Sequence, residues 1–187
     1  TRRWRREMWK GLRRSAGISR GSLKYLADTG RLDQVSRGVY TLPEVWEDEF
    51  VSIQERYKRG VFALDTALFL HDLTDRTPHK FHMAFPYGYN TSSPKAAGIL
   101  CSCKKEPYYS LGIALVDTPA GNTVRAYNAE KTLCEILKPI SHTDIQIITD
   151  AFKRYAGRKD KNIPLLSEYA HQLRVEKRLR PYLEILL

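Results

Sequence analysis

The stretch that decides the fold of the first part of the chain is Gly17-Ile-Ser-Arg-Gly-Ser-Leu-Lys-Tyr-Leu-Ala-Asp-Thr-Gly30. Its pattern predicts a short helix with both ends marked. Ser19 is a favourable N-cap, because its hydroxyl can accept a hydrogen bond from an otherwise unpaired N–H of the first turn. Gly30 lies where a left-handed residue commonly ends a helix. Three apolar side chains fall at helical spacing on one narrow face, and these are Leu23, Leu26 and Ala27.

The residues on either side of this helix predict a winged helix-turn-helix. Residues 12–16 favour a second short helix that ends at Gly17, and two helices joined by a glycine turn are the helix-turn-helix arrangement. After the quoted stretch, two β-prone runs flank Ser36-Arg-Gly38. This pattern favours a hairpin in which the glycine supplies the positive φ of the turn. A hairpin directly after the second helix is a wing.

The outer face of the helix and the wing are basic, which favours contact with DNA. Arg20 and Ser22 are placed to read base edges in the major groove, whereas Lys24, Arg31 and Arg37 are placed to bind phosphates. The predicted DNA-binding residues are Ser19, Arg20, Ser22, Lys24, Tyr25, Arg31, Ser36 and Arg37. The alternative is a surface helix and a surface hairpin whose charges are simply solvated.

The positive charge of the chain is concentrated in the same region. The 187 residues carry a formal net charge of +10 at pH 7, of which residues 1–42 contribute +8 and residues 43–187 only +2. This asymmetry indicates a polyanion-binding module joined to a nearly neutral body, with predicted domains at residues 1–43 and 44–187. The Arg-rich residues 1–10 are compatible with either an amphipathic helix or a disordered basic arm.

The remaining composition favours a cytoplasmic protein. The apolar runs are shorter than the roughly 18 residues that a membrane span requires. The three cysteines form no disulfide framework, which is typical of a reducing compartment. No secretion signal is visible at the start of the sequence.

Residues 44–187 predict a mixed α/β domain that ends in several helices, so the expected fold class is α+β with a winged helix-turn-helix in front. Alternating apolar residues predict a half-buried strand at residues 81–85, and the Gly, Asn, Ser and Pro content predicts a loop at residues 86–94. Further strands are expected at residues 99–103, 111–116 and 123–127, with a hairpin turn at 117–122. Helices are expected at residues 44–57, 64–73, 129–138, 144–156, 164–173 and 176–187.

These motifs resemble those of the AbiEi family, the antitoxins and autorepressors of bacterial abortive-infection (phage-defence) operons. The resemblance covers residues 11–42 and continues in four later stretches, Phe62–Pro78, Phe85–Asn90, Tyr127–Cys134 and Tyr169–Val175. It implies that the winged module binds inverted repeats in the promoter of its own operon and represses transcription. It also implies that the C-terminal domain counters a nucleotidyltransferase-like toxin, AbiEii. A stand-alone winged-helix repressor is the alternative.

The sequence predicts no catalytic residue, metal or cofactor. The cysteines and His142 lack the paired spacing of a zinc site, and we expect Cys101, Cys103 and Cys134 to be buried as small apolar side chains. A winged-helix nuclease is a second alternative to the antitoxin, but it would need an Asp followed by Glu-x-Lys on the next strand to hold Mg²⁺. Here Glu130 is followed directly by Lys131 on a predicted helix.

A second set of basic residues lies in the predicted C-terminal helices and their connections. Such residues ordinarily form a solvated face of the protein. The more specific interpretation is a second polyanion surface that contacts flanking DNA or an RNA substrate of the toxin. The set comprises Lys153, Arg154, Arg158, Lys159, Lys161, Arg174, Lys177 and Arg178. In the predicted loop, Tyr87 and Tyr89 are candidates for contact with a partner.

Overall fold

The computed structural model describes residues 25–29, 33–36, 39–41 and 48–186. The chain divides into two compact units, Thr1–Arg56 and Tyr57–Leu187. The predicted domain boundary between residues 43 and 44 lies outside the described residues and stays a prediction.

The first unit contains the strand pair that the sequence predicts for the wing. Strands β1 (Asp33–Ser36) and β2 (Val39–Thr41) are antiparallel, with a register shift between Gln34 and Ser36. Residues 25–28 are helical. The rest of the predicted helix-turn-helix and the tip of the hairpin lie outside the described residues. The winged helix-turn-helix as a whole therefore stays a prediction.

Helix α1 (Glu49–Arg56) closes the first unit. The carboxylate of Asp48 accepts hydrogen bonds from the backbone N–H groups of Phe50 (3.0 Å) and Val51 (3.4 Å). A carboxylate in this position satisfies unpaired donors of the first turn. The start that the sequence predicts for this helix, at residue 44, lies outside the described residues.

A mixed five-stranded sheet forms the centre of the second unit. Its strands are β3 (Val61–Phe62), β4 (His82–Pro86), β5 (Leu100–Lys104), β6 (Ile113–Asp117) and β7 (Thr123–Tyr127). Their order across the sheet is β5-β4-β3-β7-β6. The pairs β4–β5 and β3–β7 are parallel, whereas β3–β4 and β6–β7 are antiparallel. The mixed α/β character predicted for this part of the chain is confirmed.

Helices pack around this sheet and dominate the last third of the chain. They are α2 (Leu64–Leu70), α3 (Ser92–Ala96), α4 (Ala129–Ile136), α5 (Ile145–Ala156), α6 (Ile163–Gln172) and α7 (Glu176–Leu186), with a 3₁₀ turn at Pro139–Ser141. Side chains cap three of them, because Asn128, Asp144 and Asn162 each accept a bond from a backbone N–H of the following turn. The predicted strands at 99–103, 111–116 and 123–127 and the four C-terminal helices are confirmed within a few residues. None of the described helices is long and apolar enough to cross a membrane.

The core of the second unit is built around α4, which is buried along its whole length. Its apolar side chains pack with those of α2, α5, α6 and α7 in one cluster, which includes Leu68, Leu133, Phe152, Leu166 and Leu179. Phe152 stacks on Tyr182 with ring centroids 4.4 Å apart, an arrangement that favours the α5–α7 contact. A helix without a solvent face must place its polar side chains on internal partners.

Two sequence predictions for the sheet region were wrong. Strand β4 is not half-buried, since Met83, Ala84, Phe85 and Pro86 are all buried. Successive strand residues point to opposite faces, so both faces of β4 are covered; β4 is an inner strand between β3 and β5. Residues 86–94 are not all loop, because α3 begins at Ser92.

Candidate functional site

Two of the eight predicted DNA-binding residues fall within the described part of the chain. Tyr25 is 66% exposed on the helical residues 25–28, whereas Leu26 and Ala27 are partly buried. This division matches the apolar and polar faces expected from the sequence. Ser36 ends β1 and pairs with Val39. The others, Ser19, Arg20, Ser22, Lys24, Arg31 and Arg37, lie outside the described residues, and the DNA contacts stay predictions.

The second unit contains a buried lysine, Lys131, whose burial the sequence pattern does not indicate. The side chain of Lys131 is fully buried. Its Nζ donates hydrogen bonds to the carbonyl oxygens of Tyr108 (2.5 Å) and Leu111 (2.7 Å), and it lies 3.4 Å from the centroid of the Tyr127 ring. A buried ammonium requires such acceptors. Lys131 therefore ties the loop of residues 105–112 to α4.

Glu135 lies one turn further along α4 than Lys131 and connects this helix to the sheet. It is paired with Lys104 at the end of β5, and its Oε1 lies 3.8 Å from Lys131 Nζ. Its Oε2 is buried and has no hydrogen-bond partner among the described residues. Burial lowers the pKa of Lys131 to about 7, although the charge of Glu135 opposes this shift. Burial also lowers the pKa of the neighbouring Lys138, again against the effect of Glu135.

Glu130 belongs to a separate network that connects three helices. The Tyr155 hydroxyl donates to Glu130 Oε1 (2.8 Å) and accepts from the backbone N–H of Asn162 (2.7 Å). Burial raises the pKa of Tyr155, and the hydrogen bond to Glu130 is the second largest cause of this rise. Through Tyr155, Glu130 thus connects α4 to α5 and to the N-cap of α6. Its carboxylate has a structural role in holding these helices together.

The arrangement does not assemble the nuclease site. Glu130 and Lys131 lie on a buried helix, whereas Asp117, the aspartate that precedes the next strand at a suitable distance for such a site, is exposed at the end of β6. Within the residues described, no cluster of three or more His, Cys, Asp or Glu side chains is placed to hold a metal ion.

The cysteines differ in burial. Cys134 is buried as expected, and its Sγ lies 3.6 Å from the Leu166 carbonyl. Cys101 is half-buried and Cys103 is exposed, so the prediction of burial was wrong for Cys103. The reason is that β5 is an edge strand.

The predicted second basic surface divides into two groups. One group has protein partners: Arg154 pairs with Asp75 and Arg158 with Asp160, while Lys161 and Arg178 donate to the carbonyl oxygens of Ala156 and Leu137. The other group is exposed and has no ion pair or side-chain hydrogen bond among the described residues; it comprises Lys153, Lys159, Arg174 and Lys177. Polyanion binding by this surface stays a prediction, with the second group as its stronger candidates.

A comparison with protein-family models matches one segment near the start of the sequence. Residues 10–43 match a model of transcriptional regulators. More specifically, that model describes "Transcriptional regulator, AbiEi antitoxin", which confirms the family resemblance seen in the sequence over this segment. The match supports a role as an antitoxin or transcriptional regulator.

Comparison with solved structures supports the fold. The chain is similar to the crystal structure of the RV2827C protein from Mycobacterium tuberculosis, with a TM-score of 0.53 and 14% sequence identity. The similarity covers 90% of this chain and 70% of that one. At this identity the similarity concerns the fold alone. A search of curated proteins gave no match.

Proposed function

We propose that this protein is a bacterial antitoxin that also represses its own operon, as part of a cytoplasmic abortive-infection system. The observation that carries the proposal is the match of residues 10–43 to the AbiEi antitoxin regulators. The antiparallel pair β1–β2 at the position of the expected wing supports the DNA-binding half. The charge of +8 on residues 1–42 supports it as well, because a basic module favours binding to a polyanion.

In this proposal the winged module binds inverted repeats in the operon promoter. Arg20 and Ser22 read base edges, while Lys24, Arg31 and Arg37 bind phosphates and fix the register of the module on the duplex. Ser19, Tyr25 and Ser36 complete the contact surface. Neutralisation of about five phosphates per protomer gives a slope of about −4 to −5 for log affinity against log salt concentration.

The second half of the proposal is that residues 44–187 counter a nucleotidyltransferase-like toxin related to AbiEii. The test uses the full chain in cells that carry both the toxin gene and a reporter fused to the operon promoter. An Arg20→Ala/Arg37→Ala variant removes two predicted DNA contacts. An Arg76→Ala/Lys80→Ala variant removes the same charge from exposed positions of the second unit that lie in no predicted binding surface and serves as the matched control.

We expect the Arg20→Ala/Arg37→Ala variant to lose repression and to keep its protection against the toxin, whereas the control keeps repression. Failure of the unaltered chain both to repress the promoter and to protect the cells would refute the proposal. Repression without protection would favour the stand-alone repressor. Mg²⁺-dependent cleavage of nucleic acid by the purified chain would favour the nuclease.

A further inference from the structure

Three segments of the second unit bring exposed tyrosines and cations to one edge of the sheet. Tyr87 directly follows β4 and Lys105 directly follows β5. These strands are parallel, so their carboxyl ends lie at the same edge. Arg59 precedes β3, which is antiparallel to β4, and its segment therefore reaches that edge too. We call Arg59, Tyr87, Tyr89, Lys105 and Tyr108 the tyrosine–cation cluster.

Hydrogen bonds connect the three segments of the cluster. The backbone N–H of Tyr87 donates to the Lys104 carbonyl (2.8 Å), which joins the ends of β4 and β5. The hydroxyl of the buried Tyr109 donates to the Arg59 carbonyl, which joins the loop after β5 to the segment before β3. These hydrogen bonds fix the positions of the three backbone segments relative to one another.

The aromatic rings of the cluster combine exposure with nearby positive charge. Tyr87 is 71% exposed and Tyr108 is 40% exposed. Lys105 Nζ lies 4.9 Å from the centroid of the Tyr87 ring, and Arg59 Cζ lies 5.9 Å from that of Tyr89. Exposed rings beside cations offer two kinds of contact, stacking for a planar ligand and charge for an anion.

The fold holds one ring of the cluster and the backbone of another in place. The Tyr89 ring stacks on the buried Phe85, with ring centroids 4.6 Å apart and an interplanar angle of 11°. The backbone of Tyr108 is anchored because its carbonyl oxygen accepts a hydrogen bond from the buried Lys131. A ligand that binds a pre-positioned surface loses less conformational entropy than one that must order it.

The charge of the second unit favours an anionic ligand. Residues 57–187 contain 19 lysines and arginines and 13 acidic residues, a formal net charge of +6. The acidic side chain within the loop, Glu106, accepts hydrogen bonds from the backbone and hydroxyl of Ser110. Exposed aromatic rings interleaved with cations are typical of surfaces on which the bases of a single strand stack while its phosphates are neutralised. The bases of a duplex are stacked on each other and do not offer their faces in this way.

We infer that the tyrosine–cation cluster binds a single strand of nucleic acid, with bases stacked on Tyr87 and Tyr108 and phosphates bound by Arg59 and Lys105. This activity goes beyond the proposed repression and toxin neutralisation, and it is separate from the winged module. It assigns a binding surface to the C-terminal unit itself.

The test measures binding of the purified full chain to a fluorescein-labelled 20-nucleotide single-stranded RNA by fluorescence anisotropy. Tyr87→Ala and Tyr108→Ala should each weaken binding roughly tenfold, which corresponds to the loss of one stacked base. Tyr87→Phe keeps the ring and should bind as the unaltered chain does. Circular dichroism spectra and thermal melts of the variants check that these exposed substitutions leave the fold intact.

Charge-matched and base-free controls separate stacking from general attraction to a polyanion. Lys105→Ala should weaken binding more than Lys80→Ala, since Lys80 is exposed at the opposite end of β4. A labelled abasic strand of the same length should bind weakly. The same measurement with single-stranded DNA of the same sequence identifies which of the two nucleic acids is preferred.

Several outcomes would overturn the inference. The inference would be overturned if the Tyr87→Ala and Tyr108→Ala variants bound the RNA as tightly as the unaltered chain does. It would also be overturned if the abasic strand bound as tightly as the strand with bases. If a labelled poly-glutamate peptide bound more tightly than the RNA, and this binding depended on the tyrosines, the ligand of the cluster would be an acidic protein segment and not a single strand of nucleic acid. As a direct readout, cross-linking with 5-bromouridine RNA should modify Tyr87 or Tyr108, and cross-links confined to residues 1–42 would contradict the proposed site. A chain that fails as a repressor and antitoxin but passes these tests would refute the proposed function alone.

Discussion

Lys131 Nζ lies 2.5 Å from the carbonyl oxygen of Tyr108, so a fully buried side chain of α4 supports the loop that carries an exposed tyrosine. The same nitrogen also bonds the Leu111 carbonyl. A single side chain thus connects the central helix of the second unit to the edge of the sheet where the tyrosine–cation cluster lies.

The first prediction concerns the stability supplied by this contact. Lys131→Met keeps the length of the side chain but removes the donor to two carbonyl oxygens, while Glu135 keeps Lys104 as its partner. We expect the free energy of unfolding to fall by about 3 kcal/mol, because the two carbonyl oxygens are left without their hydrogen-bond donor. Urea denaturation at pH 7 measures the change. Lys138→Met, at a half-buried position of the same region, is the control and should cost less than about 1 kcal/mol.

The second prediction concerns pH. The pKa of Lys131 falls from 10.5 to about 7 on folding, chiefly because the side chain is buried. Between these values the unfolded chain binds more protons than the folded chain, so the free energy of unfolding should rise with pH from about 7 towards 10. The neutral amine still has N–H groups for both carbonyls. Urea titrations at pH 7, 8 and 9 test this, and an identical pH dependence in Lys131→Met would contradict the assignment to Lys131.

The third prediction concerns the network around Glu130. Tyr155→Phe removes the hydroxyl that bridges Glu130 Oε1 and the Asn162 N–H. Because both groups then lack this buried partner, we expect a loss of about 1–3 kcal/mol, measured by thermal denaturation. Tyr87→Phe, which removes an exposed hydroxyl, provides the comparison and should leave the melting temperature unchanged.

The fourth prediction concerns a close approach of the backbone to α4. Gly112 has φ +67°, and a Cβ there would lie 3.0 Å from Asn128 Oδ1 and 3.1 Å from Lys131 Cβ. Gly112→Ala combines backbone strain with crowding of the α4 cap and should cost about 1–3 kcal/mol. Gly121→Ala has a similar φ, +78°, but open space around its Cβ. The difference between the two variants isolates the crowding, and equal losses would show that crowding contributes nothing.

The fifth prediction concerns DNA recognition. Arg20→Ala should weaken binding to the operator by roughly 1–3 kcal/mol and relax its sequence preference. Lys24→Ala, at a predicted phosphate contact, should weaken binding to operator and random DNA alike. Electrophoretic mobility shifts with both DNAs measure the two effects. An equal loss on both DNAs for Arg20→Ala would remove its proposed role in reading bases.

Local signals in the sequence were sufficient to predict much of the secondary structure of the second unit. Strand β7 and helix α4 were predicted because a turn-forming stretch, Asp117–Asn122, precedes the strand and an N-cap, Asn128, separates it from the helix. In each case the information lies within a few residues. The antiparallel pair β1–β2 was predicted for the same reason.

Features that depend on distant parts of the chain were missed. An adjacent Glu-Lys pair on a helix is ordinarily solvated, so the sequence did not indicate that Lys131 is buried against carbonyl oxygens about 20 residues away. The double-sided burial of β4 likewise follows from its neighbours in the sheet. The position of Tyr87 beside Lys105 arises from parallel pairing of β4 and β5, which the sequence alone did not predict.

The complete burial of α4 has a consequence for hydrogen exchange. A helix with no solvent face cannot open to water while the helices and strands around it remain in place, so its amide protons should exchange only when the whole second unit unfolds. The amides of α4 would then report the global unfolding free energy of that unit. Exchange at these positions could therefore record how a bound nucleic acid or toxin changes that free energy, in the intact protein and without denaturant.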